Sequence, residues 1–267
     1  MARIHPSVVI EGDVQLADDC QIGPWCVLRG RVRVGSRCTL IAGVHLQGPL
    51  QLGEGNTLYP GVCLGFAPQD LGFDPNKDGA GLVIGNGNTF REAVTIHRAK
   101  TDSPTRVGDN NYWMAGAHMG HDGVLGSNCV MANATQLAGH VQIGDRVTFG
   151  GGACVHQFVR VGTGAFFSGL AGASLDVPPW FTVTSTNCAS SFNRIGLRRS
   201  GATPQQIDTV RWVYRTLVRS RHLLKHSLEE LRARQSVPLV ADYIRFIESA
   251  KRGVCLARGR SVESAAR

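Results

Sequence analysis

Residues 113–166 read WMAGAH, MGHDGV, LGSNCV, MANATQ, LAGHVQ, IGDRVT, FGGGAC, VHQFVR and VGTGAF when cut in sixes from Trp113. The first residue of each six is aliphatic, aromatic or Met, and the fifth is mostly small or Val. A sustained period of six is the signature of a parallel β-helix built from hexapeptide repeats. Alternate side chains of a strand face opposite ways, so the first and fifth residues point into the coil and the others out. If three hexads close one coil, residues 18 apart stack at the interstrand spacing of about 4.8 Å. His121, Gly139 and Gln157 then form one vertical row, with His140 and His156 one residue to its side. His118, His121, His140 and His156 are all expected to face solvent, and a cluster of outward imidazoles along one edge is a candidate site.

The phase extends well beyond this stretch. From Ile4 to Cys63 ten hexads run unbroken, IHPSVV to LYPGVC. The phase breaks at Leu64, resumes at Ile84, breaks again at His97 and resumes at Val107, which predicts inserted loops near 64–83 and 97–106. Loops set on the turns of a solenoid commonly carry its binding residues. The first offers Gln69 and Asp70, and the second His97, Arg98 and Lys100. Pro178-Pro179 should stop the coil, since proline cannot donate to a ladder. The expected division is therefore a solenoid over 1–186 and an α-helical domain over 187–267. In the latter, Thr203-Pro204-Gln205-Gln206 reads as a capped helix start, Ser227 to Glu230 as a second, and a third helix follows Pro238 to a stop at Gly253.

The 43% hydrophobic residues suffice for a sizeable core. No stretch approaches the ~18 uncharged apolar residues of a membrane span, and MARIHPSVVIEGD lacks the apolar run of a signal peptide. A cytoplasmic location is expected. Of eight cysteines, Cys20, Cys26, Cys38 and Cys129 fall in the inward fifth slot, where Cys acts as a small hydrophobe. The net charge of +8 is uneven: 12 Lys+Arg face 14 acids in 1–186, a balance of −2, and 16 face 6 in 187–267, a balance of +10. Such a basic end attracts an acidic partner. With no nucleic-acid motif nearby, a protein is favoured over nucleic acid.

An outward His121 beside Asp122 has the makings of a general base with its orienting carboxylate. One coil away the Gly139 N–H, with no side chain before it, can donate to an oxyanion. Together they suggest acyl transfer to a hydroxyl. Cys154 stands two coils from His118, about 10 Å away, which argues against a thiol nucleophile. His121 and His156 are almost two coils apart, too far to share a metal ion bound at ~2 Å, so no metal is expected.

The segments VTIHR, AHMGHD, LAGHV, GGACVHQF, DVPPW and NRIGLRR, in this order, resemble the UDP-N-acetylglucosamine 3-O-acyltransferases that begin lipid A synthesis. The resemblance spans nearly the whole chain, including the loops and the tail. It implies a left-handed β-helix homotrimer with sites between subunits, moving a 3-hydroxyacyl group from acyl carrier protein to the sugar 3-hydroxyl without a cofactor. By motif, His121 would be the base, Asp122 its partner and Gly139 the oxyanion donor. His118, His140, His156 and Gln157 would line the cleft, Gln69 and Asp70 would hold the sugar, and Asn193 and Arg199 would meet the nucleotide. Gly169 would set the depth open to the acyl chain, and acyl carrier protein would dock on the basic C-terminal helices. Three positions depart from the family. Gly72 stands where Lys is usual, Ile195 near the usual place of a Glu, and Ser200 in place of a second Arg. A different, even amino, sugar nucleotide therefore stays open, as does a trimeric scaffold without catalysis.

Overall fold

A computed structural model describes residues 1–220 and 222–256. Short strands repeat in three parallel faces to form a left-handed solenoid of about ten turns. The first face runs from Arg3–Ile4 to Phe181–Ser185 and is closed by Cys188–Phe192; the second runs from Val9–Glu11 to Gly172–Ala173; the third runs from Val14–Leu16 to Arg160–Val161. In the uninterrupted coils the register is 18, as in Val130 over Thr148 over Phe166 and Met119 over Leu137. Leu50 pairs with Leu82 and Leu82 with Thr105, so the two insertions add 14 and 5 residues to the 18 and leave the register above them intact.

The inward positions are those the period predicts. Phe90, Trp113, Met131, Phe149 and Phe167 succeed one another behind the first face, all fully buried, with Phe90 and Trp113 stacked at 6.0 Å between ring centroids. Cys20, Cys26, Cys38 and Cys129 are buried. One inward corner column is polar: Asn88 N and Nδ2 donate to Asn56 Oδ1, Asn111 N donates to Asn88 Oδ1, and Cys129 N donates to Asn111 Oδ1. Each side-chain oxygen satisfies a backbone N–H of the next coil that would otherwise be buried without a partner.

Two expectations need correction. The coil does not stop at Pro178-Pro179: Phe181–Ser185 adds another parallel strand, and Cys188–Phe192 folds back antiparallel upon it. Pro178 and Pro179 sit at a corner, where no ladder donor is lost, and the expected boundary at 186/187 falls in the turn of that hairpin. Ser227 does not start a helix. α1 (Arg194–Arg199), α2 (Pro204–Tyr214), α3 (Leu224–Arg232) and α4 (Pro238–Glu248) follow the hairpin, and Ser227 lies inside α3, donating to Thr216 O from a buried position. The capping box of Thr203 and Gln206 forms at the head of α2, which runs on into a π-helical turn, Arg215–Arg219. Residues 257–267 of the expected helical domain lie outside the described residues. Arg160 ties coil to tail, reaching Asp176, Phe246 O and Ser249 Oγ at 2.7–2.9 Å. Among the described residues no helix is long and apolar enough to cross a membrane.

Asn88→Ala removes the acceptor of a buried N–H and should destabilise the fold by about 1–3 kcal/mol. Denaturant unfolding of the variant is the check; a change below about 0.5 kcal/mol, the range of an inert surface substitution, would show that the column carries no weight.

Candidate active site

The site is built at the corner between the second and third faces. Each coil turns there through a left-handed residue, Asp122, His140 and Phe158, with φ of 59, 59 and 66. Side chains other than glycine rarely adopt this conformation, though Asp and His tolerate it better than most. The residue before each corner supplies the row His121, Gly139 and Gln157 at the register of 18.

His121 Nδ1 lies 2.6 Å from Asp122 Oδ2, and the two side chains are 14% and 4% exposed. Asp122 also accepts from Thr101 Oγ1, Thr101 N and Lys100 N, while its own N–H donates to Thr105 Oγ1. Burial works to raise the Asp122 carboxyl, but the hydrogen bonds from Thr101 and His121 and the two backbone N–H groups outweigh it and hold the carboxyl below its ordinary range. An ionised carboxylate only accepts. His121 must then donate from Nδ1, and in the neutral ring that tautomer puts the lone pair on Nε2. That nitrogen faces Gly139, where an added Cβ would stand 3.1 Å from it. Among the described residues the Gly139 N–H has no backbone acceptor, so a base nitrogen and an unspent donor lie side by side.

The imidazoles point away from the coil as expected, but the inserted loops roof some of them. His118 is half-buried, with Nδ1 2.8 Å from Thr95 Oγ1. Burial, helped by neighbouring His97, pushes it from 6.5 down to about 4. The expectation that it is simply solvent-facing is thus corrected. His97, expected at the start of a loop, ends the strand Thr95–His97, edges against His118 at 5.3 Å and donates from Nδ1 to Ala67 O. His140 meets His121 edge-on at 5.1 Å and stacks on Phe158 at 4.4 Å. His156 and Gln157 are exposed further along. Asp70 reaches the site through Lys100, whose Nζ lies 2.7 Å from Asp70 Oδ2; Gln69 beside it is exposed.

His121, Asp122 and His140 bring possible metal-ligand atoms within 4.8 Å of one another. His140 joins the pair because, 18 residues on, it stands over Asp122 and not over His121. Two of the atoms already share a 2.6 Å hydrogen bond and the carboxylate has three further donors, an arrangement that fits a His–Asp pair better than an ion.

The other expected residues lie elsewhere on the chain. Asn193 and Arg199 line a 650 Å³ cavity on the first face, with Arg146, Trp180 and Phe192. Asn193 spends its side chain on the fold: Oδ1 caps α1 by accepting from Gly196 N, and Nδ2 donates to Gly164 O. Gly169 sits exposed at the corner between the first and second faces, where an added Cβ would meet only Gly151 O, at 3.5 Å. Arg146 and Phe192 gave no sequence signal, and Trp180 entered only as the end of the DVPPW segment with no site role, since a solenoid places outward residues beside a tail that the period does not describe. Thr101, Lys100 and His97 lay in a break of phase, where register arithmetic stops.

Residues 176–255 match the family described as Udp N-acetylglucosamine O-acyltransferase; Domain 2. The chain is 44% identical over 255 residues to an acyl-[acyl-carrier-protein]–UDP-N-acetylglucosamine O-acyltransferase of Anaeromyxobacter sp. (strain K), covering 94% of this chain and 98% of that one. It is 44% identical over 261 residues to one of Pseudomonas aeruginosa (strain LESB58), covering 95% and 99%. The fold superposes on the Francisella novicida UDP-N-acetylglucosamine acyltransferase with a TM-score of 0.91 at 31% identity, covering 96% and 95% of the two chains. For the Campylobacter jejuni enzyme the score is 0.88 at 33%, covering 94% and 98%.

The lowered His118 sets a pH dependence. Above pH 6.5 the group is neutral folded and unfolded; as pH falls toward about 4 the unfolded chain takes a proton that the folded chain refuses, so stability drops across that window. His118→Gln should flatten the fall in melting temperature between these pH values. An unchanged acid slope would mean that His118 is not held neutral.

Proposed function

The chain belongs to the acyl-[acyl-carrier-protein]–UDP-N-acetylglucosamine O-acyltransferase family, and from that premise we propose that it moves a 3-hydroxyacyl group from acyl carrier protein to the 3-hydroxyl of UDP-N-acetylglucosamine, opening lipid A synthesis. The observation that carries the reading is the His121–Asp122 pair at 2.6 Å with Nε2 facing Gly139, whose N–H has no backbone acceptor among the described residues. His121 Nε2 takes the proton of the sugar hydroxyl as its oxygen attacks the thioester carbonyl. The Gly139 N–H donates to the resulting oxyanion, and Asp122 stabilises the imidazolium. Collapse breaks the C–S bond, and the departing thiolate recovers the proton from His121. The step balances with no cofactor.

The residues of the nucleotide end favour a site shared between chains. His121 lies at the corner opposite the first face, and the Asn193–Arg199 cavity lies on that face, so one substrate touching both needs two subunits. We infer a homotrimer in which one chain supplies the base and its neighbour the cavity, with His118, His140, His156 and Gln157 lining the cleft and Gly169 bounding the acyl chain. Acyl carrier protein would dock on the tail, where Arg211, Arg215 and Arg219 line a 500 Å³ groove. A cytoplasmic site of action follows from that donor.

One observation bears on the sugar. Lys100 Nζ lies 3.8 Å from where a side chain on Gly72 would begin, so a cation stands near the position where the family usually has one. This supports UDP-N-acetylglucosamine over a different sugar nucleotide, although Ile195 and Ser200 still lack charges usual at the nucleotide end.

Assay of the purified protein with acyl carrier protein thioesters and a panel of UDP-sugars, amino sugars included, tests the reading. With the preferred pair, His121→Ala should lower turnover by about 10²–10⁴-fold, the usual worth of a general base, while substrate binding and oligomer mass stay as they were. Retention of more than about a tenth of the turnover would remove His121 as the base.

A further inference from the structure

Arg252 reaches the histidine row from the far end of the described chain. The segment that carries it is stitched to the last coil: Asp176 N donates to Gly253 O at 3.0 Å, Cys255 N donates to Asp176 O at 2.8 Å, and Cys255 is fully buried. This anchoring sets the exposed Arg252 guanidinium beside His156, with Nη2 3.4 Å from His156 Nδ1 and Nε donating to Ser174 O at 3.3 Å.

The contact is chemically incomplete. His156 Nδ1 also lies 3.2 Å from Gln157 O. A carbonyl oxygen accepts, so that contact needs a proton on Nδ1; a guanidinium only donates, so the other needs a lone pair there. The two demands exclude each other. No carboxylate settles the matter: among the described residues Arg252 forms no ion pair, and the nearby Asp176 is taken by Arg160 at 2.7 Å. A charged donor and an imidazole are thus held together by a well-anchored backbone with no acceptor between them. An anion seated beside them would accept from the guanidinium in place of Nδ1, leaving Nδ1–H to Gln157 O.

We propose that Arg252 and His156 form a phosphate-binding subsite on the cleft that leads to His121. His156 is almost two coils from His121, about 10 Å, so a group bound there lies within the span of a substrate whose reacting atoms sit at His121 and Gly139. Planar guanidinium donors suit phosphate oxygens, and such charge-assisted bonds are stronger than neutral ones. The inference rests on the acyl-transfer reading, in which two substrates carry the right chemistry: the phosphate of the acyl donor's pantetheine arm, and the diphosphate of the nucleotide sugar.

Binding of 4′-phosphopantetheine, dephosphorylated pantetheine and UDP-N-acetylglucosamine to wild type, Arg252→Gln and Arg252→Lys, followed by calorimetry, tests the proposal. Arg252→Gln should weaken at least one phosphate ligand by about ten-fold, identifying which substrate uses the subsite; Arg252→Lys should recover part of the loss; pantetheine should respond to neither. Changes within about two-fold for both phosphate ligands, an equal loss with pantetheine, or no binding of either phosphate ligand to wild type would each overturn it. Turnover of the same wild-type sample separates the two ideas. An active enzyme with unaltered Arg252→Gln binding sinks the subsite alone, whereas an inactive one that loses phosphate affinity in Arg252→Gln sinks acyl transfer and keeps the subsite.

Discussion

Parallel stacking at a fixed register of 18 residues is the constraint on which everything else hangs. Because each uninterrupted coil hydrogen-bonds to the next with the same offset, as Met119 does over Leu137 and Leu137 over Val155, and the two insertions loop out without shifting the pairing, residues distant in sequence are held in fixed columns. The inward columns make a continuous core, and the polar column Asn56–Asn88–Asn111 shows how strictly the alignment is kept where a side chain must find the next coil's N–H. The outward columns make the site. His121 meets Gly139 because they occupy one column, and His140 meets Asp122 because they occupy the adjacent one.

The scaffold alone does not explain the electrostatics of that site. Asp122 is held ionised in a half-buried position chiefly because the second insertion folds back and presents Thr101 and Lys100 to it. The same lysine grips Asp70 of the first insertion. The two loops, which interrupt the coil without shifting its register, thereby close over the corner, shelter His118 and His97 from water, and orient the one carboxylate that fixes the tautomer of His121. The rigid column supplies position, and the loops supply protonation state.

This division explains what could be read from the sequence. The period of six gave the solenoid, its inward residues, the loops and the row His121–Gly139–Gln157, since each follows from counting. Counting fails where the phase breaks, so it puts His97 and Lys100 on a loop without a role and passes over Thr101, although all three touch the site or its neighbours. It fails again beyond Pro179, where the antiparallel hairpin and α1 follow no repeat, and Trp180, Phe192 and Arg252 acquire their neighbours only through tertiary packing. Ser227 misled because a Ser followed by Glu three residues on resembles a cap wherever it occurs, and its hydroxyl bonds across to Thr216 instead.

If the base at one corner serves a substrate held in the Arg199 cavity of a neighbouring chain, as proposed, the sites exist only between chains. Mixing two crippled chains tests this most directly. His121→Ala retains the cavity and Arg199→Ala retains the base, so each alone should be severely impaired, yet trimers assembled from a refolded equal mixture should regain activity, with about a quarter of the interfaces restored to two intact halves. A mixture no more active than its parents, though shown by mass to contain mixed oligomers, would contradict a site shared between subunits.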